Sequence, residues 1–158
     1  MDQYYEYRHV VDVDETNHLG NAYNINVARW QGRCREMFLL EHAPSVLDGL
    51  RGELKLVTVE SECECLAGIQ AFDELSVRMR LGELTRTGIG LAFDFVCVSE
   101  GVEELVAKGW QRVACVRGAD GASAPTRVPE PLRLALETYA IGRPRRVGSG
   151  RLGVGGRA

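Results

Sequence analysis

The order of the elements limits the fold more than any other feature: one long helical pattern, residues 24 to about 42, follows a single strand-like run and precedes four more in succession. Along the helical stretch Val27, Trp30, Gln31, Cys34, Phe38 and Glu41 fall on one stripe, and Pro44 is expected to end it. Asn24, Ala28 and Arg35 cluster beside that stripe, about 60 to 100° from Val27 at 3.6 residues per turn, so a polar shoulder flanks the apolar face. A lone helix must bury its stripe against something, and the strands are the available surface.

Residues 4–13, YYEYRHVVDV, are rich in aromatic and β-branched types and read as the first strand. A polar loop, DETNHLGN at 14–21, leads to the helix. After a short linker come strand-like runs at 54–66, 72–84, 88–99 and 105–117. Alternation is clear in the second, where Leu75, Val77, Met79 and Leu81 oppose Ser76, Arg78 and Arg80, and in the third, where Ile89, Leu91, Phe93 and Phe95 share a face. In the first, Val57, Val59, Cys63 and Cys65 are expected to oppose Thr58, Glu60, Glu62 and Glu64. Thr87-Gly88 and Glu100-Gly101 fit hairpin turns, which makes the neighbours antiparallel. A last helix fits 129–141, with Pro129 at its start and Gly142 at its end. An antiparallel sheet curled around one long helix satisfies this order: an α+β hot-dog fold of five strands, a central helix and a C-terminal helix, with an exposed sheet edge that favours a homo-oligomer, either a dimer or a dimer of dimers.

Composition narrows the function. At 158 residues, 45% hydrophobic and 26% charged, the chain suits one globular domain. No stretch approaches the roughly 20 apolar residues of a membrane helix, so a cytoplasmic protein without a membrane partner is expected. The net charge is −3, yet residues 142–158 hold five arginines and no acid, leaving residues 1–141 strongly acidic and unsuited to nucleic acid. A hot-dog domain at 1–141 and a flexible Gly/Arg-rich tail at 142–158 are the expected divisions. Five cysteines without paired C-x-x-C spacing read as reduced thiols, and with only three histidines no metal site is expected.

The segment 14–39, DETNHLGNAYNINVARWQGRCREMFL, resembles the loop and helix of hot-dog thioesterases, in particular those encoded beside enediyne polyketide synthases. Those relatives carry D-E/T-T-N-x-x-G-N-x-Y followed by W-Q-G-x-C-R-E. Asp14, Thr16, Asn17, Gly20, Asn21, Tyr23, Trp30, Gln31, Gly32, Cys34, Arg35 and Glu36 fit that pattern. YYEYRHVV at 4–11, LVTV at 56–59, AFDELSVRM at 71–79 and VAC at 113–115 extend the resemblance over about residues 3 to 140. It implies hydrolysis of a β-ketoacyl polyene thioester on an acyl carrier domain, decarboxylation to a methyl ketone, and no cofactor, because phosphopantetheine arrives as part of the substrate. It implies Asn17 and Arg35 as catalytic groups, with Gly20, Asn21, Tyr23, Asn24, Val27, Gln31 and Thr58 around the substrate.

Two positions depart from wider patterns. Asn17 stands where the hydroxybenzoyl-CoA thioesterase group has a catalytic aspartate, and Val27 where enediyne relatives usually have a tyrosine. An amide cannot serve as a general base, but it can donate to a developing oxyanion, as Arg35 can. Two alternatives stand beside this reading: a general acyl-CoA thioesterase, and a partner of the synthase that binds the intermediate without turnover. Cys34, on the apolar stripe, reads as core, and Glu36 as structural.

Overall fold

The computed structural model describes residues 3–17, 24–119 and 122–142; the expectations for Gly20, Asn21, Tyr23 and nearly all of the tail fall outside them. Strand β1 (Tyr5–Val10) leads through a 3-10 turn (Val13–Glu15) to helix α1 (Asn24–His42) and a second helix, α2 (Pro44–Leu50). Then follow β2 (Leu54–Cys65), β3 (Glu74–Leu84), β4 (Gly88–Ser99), β5 (Val102–Arg117), the short β6 (Ala124–Pro125) and helix α3 (Glu130–Glu137). The sheet is antiparallel in the order β1-β3-β4-β5-β2, with β6 pairing the end of β5, so it has six strands where five were expected. This is the hot-dog arrangement.

The alternating residues of β3 and β4 fill the core as their pattern predicts: Leu75, Val77 and Met79 are fully buried, as is Phe95, with Phe93, Leu91 and Ile89 nearly so. They meet Val27, Trp30, Cys34 and Phe38 of α1. The outer face carries ion pairs between strands, including Arg80 to Asp94, Lys108 to Asp94, and Arg112 to both Glu60 and Glu83. One dry and one charged face is the usual division of an antiparallel sheet. The turn at Glu100 (φ 51°) and Gly101 (φ 79°) has the two positive φ angles of a type I′ hairpin.

Four expectations are corrected. Pro44 follows the end of α1 but also opens α2, since proline suits a first helical turn as well as a stop. The last helix ends at Glu137, not near 141, and Ala140 instead pairs with Leu81 in a bridge beside β3, in which Leu81 N–H donates to the Tyr139 carbonyl and Ile141 N–H to the Leu81 carbonyl. Most consequential is β2, whose register against β5 shifts between Thr58 and Glu60. The extra residue reverses the alternation, so Leu56 and Thr58 face inward before it and Ser61, Cys63 and Cys65 after it, opposite the inward row Cys115, Val113, Gln111, Gly109 and Ala107. Val57 and Val59 are therefore exposed and do not share a face with Cys63. Glu41, expected on the buried stripe, is exposed and accepts a hydrogen bond from the Tyr5 hydroxyl.

Phe93→Ala is expected to cost about 3–5 kcal/mol of unfolding free energy, read from urea denaturation.

Candidate active site

A polar strip runs along one side of α1 where it faces β5 and β2. At the start of the helix the Cys65 thiol donates to Asn24 Oδ1 at 3.1 Å. Two turns further on lies Gln31, with no exposed surface and neither side-chain nitrogen nor oxygen hydrogen-bonded. Its carboxamide occupies the space over Gly109 of β5, where a Cβ would stand 1.8 Å from Gln31 Oε1. One turn beyond, Arg35 Nη1 donates to Gln111 Oε1 at 2.9 Å and to Thr58 Oγ1 at 3.1 Å. Thr58 reaches Arg35 because the bulge in β2 turns it inward on the same side as Cys63, five residues later; five steps of strict alternation would separate them. Burial pushes the Arg35 guanidinium down from its ordinary value while Glu36 pulls the other way, and it stays a cation at neutral pH.

Arg35 lines a groove of about 610 Å³ between α1, α2 and β2, together with Met37, Leu40, Leu47, Leu50 and Leu56 and the cations Arg33 and Lys55. This volume lies within the range of small-molecule sites, and a largely apolar lining with a few charged groups is the usual composition of one.

The loop before α1 is held by another cluster. The Glu15 carboxylate accepts Trp30 Nε1–H at 2.8 Å, the Asp12 backbone N–H at 2.8 Å and His9 Nε2–H at 2.9 Å, while the Glu15 carbonyl accepts Asn26 Nδ2–H at 2.8 Å. Burial pushes the Glu15 carboxyl up, but the Asp12, Trp30 and His9 bonds outweigh it and hold it below the ordinary carboxylate range. A carboxyl lowered by folding contributes stability above its unfolded pKa and loses it as pH falls through the native value. Asn17, half-buried, lies two residues after Glu15 in the chain. Eleven residues separate Asn24 from Arg35, about 16 Å of helix at 1.5 Å per residue.

Comparison with solved structures finds the dynemicin thioesterase, whose structures describe polyene binding, at 45% identity and a TM-score of 0.86, covering 89% of this chain and all of that one. The chain belongs to the enediyne-type hot-dog thioesterases. It is a thioester hydrolase by family. Gentisyl-coenzyme A thioesterase (21% identity, TM-score 0.70, 83% and 98% of the two chains) and an Asp-to-Asn 4-hydroxybenzoyl-CoA thioesterase in complex with 4-hydroxybenzoyl-CoA (13%, 0.72, 87% and 99%) share the fold. No protein-family model and no curated protein matches.

Of the thioesterase's expected site residues, Asn24, Gln31, Arg35 and Thr58 lie on the strip, Asn17 follows Glu15 in the half-buried part of the loop, and Val27 is wholly buried in the core. Sequence reasoning missed Gln111 and Gly109. Their signal was a polar side chain and a glycine at alternate positions of a strand whose neighbours Val113, Cys115 and Ala107 are apolar. Burial pushes the Cys34 thiol up, in keeping with its place in the core. Among the described residues no three metal-ligating side chains cluster, and no helix is long and apolar enough to cross a membrane.

Gly109→Ala is expected to cost about 1–3 kcal/mol, and much of that loss should disappear in a Gln31→Ala background. Urea denaturation of the two single variants and the double variant measures this coupling; strictly additive losses would mean that Gln31 does not fill the space over Gly109.

Proposed function

We propose that this thioesterase releases a β-ketoacyl polyene from the phosphopantetheine arm of an enediyne synthase's acyl carrier domain. The observation that carries this reading is Arg35, a cation anchored by Gln111 and Thr58 in the wall of a largely apolar groove of about 610 Å³. Polyene binding by the dynemicin thioesterase supports the choice of chain. Arg33 and Lys55 on the same rim suit the phosphate of the arm.

The reaction needs no carboxylate nucleophile. Water adds to the thioester carbonyl, the Asn17 amide and the Arg35 guanidinium donate to the oxyanion, and collapse breaks the C–S bond as the carrier thiol leaves with a proton. Thr58, beside Arg35, is placed to orient the water. The β-keto acid then loses CO₂ to give a methyl ketone, its own ketone accepting the electron pair. The working site takes Asn17 from the loop of one subunit and Arg35 from the helix of its partner, so the enzyme acts as a homo-oligomer, a dimer or a dimer of dimers. The reading is cytoplasmic, where all five cysteines stay free as they stand here.

Asn17→Ala and Arg35→Ala should each lower kcat about 100- to 1,000-fold. Mass spectrometry of products from a β-ketoacyl polyene loaded on the carrier domain, with the matched CoA ester alongside, measures this. Equal turnover of both substrates would favour a general acyl-CoA thioesterase, and tight binding without release a non-catalytic partner. Mixing the two inactive variants after subunit exchange should restore about a quarter of wild-type activity if each site uses both subunits; no recovery would place both groups in one subunit.

A further inference from the structure

We infer that Glu15 is a positioning residue of this reaction: its carboxylate fixes the loop that presents Asn17. The inference rests on the role proposed for Asn17. The 3-10 turn itself lies at the surface. Val13 is 59% exposed, no residue of the 3-10 turn is buried, and Asp12 and Asp14 face solvent. Against that, the Glu15 side chain is only 16% exposed and joins three elements: the His9 imidazole on β1, the Trp30 indole on α1 and the Asp12 amide of the loop itself.

The anchors are themselves fixed. Trp30 is 3% exposed and packs against Phe95 and His9 at ring centroid distances of 6.3 and 5.0 Å. The His9 ring is also held at its other edge, where Nδ1 lies 3.4 Å from the Tyr7 hydroxyl, while Nε2–H faces the Glu15 carboxylate. Asn26, on the first turn of α1, clips the Glu15 carbonyl from the other side. A carboxylate that receives donors on both oxygens cannot be matched by an amide, because one end of a glutamine presents N–H groups to partners that are themselves donors. An oxyanion donor acts through preorganisation, so a loop free to drift by an ångström forfeits much of its effect.

The test is a kinetic double-mutant cycle with Glu15→Gln and Asn17→Ala on the loaded carrier substrate, together with amide hydrogen exchange of residues 12–17. Glu15→Gln should lower kcat roughly 10- to 100-fold with KM nearly unchanged, speed exchange in the loop, and have no further effect once Asn17 is alanine. Trp30→Phe, which keeps the ring and deletes one donor, should show the same pattern more weakly and guards against a folding defect in the first variant. A folded Glu15→Gln with wild-type kcat, or a loss that persists undiminished in the Asn17→Ala background, overturns the clamp alone. Asn17→Ala with wild-type kcat, or a wild type that hydrolyses no thioester, overturns the proposed reaction and the clamp with it.

Discussion

Among the described residues α1 is the longest helix, and the same 19 residues both fill the core and carry the polar strip beside it. Helical geometry allows this only by dividing the circumference: Val27, Trp30, Cys34 and Phe38 point into the sheet, and Asn24, Gln31 and Arg35 run along the margin of that stripe. The margin faces β5 and β2, and those strands supply the complementary polar or small groups, Gln111, Thr58 and Gly109. The positions of both strands are thus set by what the helix requires of them.

The sequence was most legible where a single period governs a whole element. Helix α1 begins and ends where its spacing predicts, and β4 spans 88–99 with all four of its alternating apolar residues buried. It was least legible where a local device interrupts the period. Nothing in LVTVESECEC announces that the chain gains a residue near Val59, yet that bulge decides which side chains of β2 face α1. Pro44 was ambiguous for a different reason, because the same ring ends one helix and starts another.

The site was legible in a similarly uneven way. Arg35 and Thr58 could be named from the family pattern, and the structure joins them by a hydrogen bond. Gln111, on a strand 76 positions from Arg35, could not, because the pairing depends on the order of the strands and not on any local spacing. Glu15 was hidden by its company, one acid in a polar loop whose partners on β1 and α1 are brought together only by the closed fold.

The fit between Gln31 and Gly109 also constrains how such a chain can change over generations. Any side chain at 109 would enter space already filled by the carboxamide, whereas a shorter residue at 31 meets no obstacle. Substitution at the helix position can therefore come first and the strand position follow, but the reverse order passes through an overpacked intermediate. Lineages that have placed a larger residue at 109 should be those in which 31 was shortened earlier, so the two positions record a direction of descent as well as a contact.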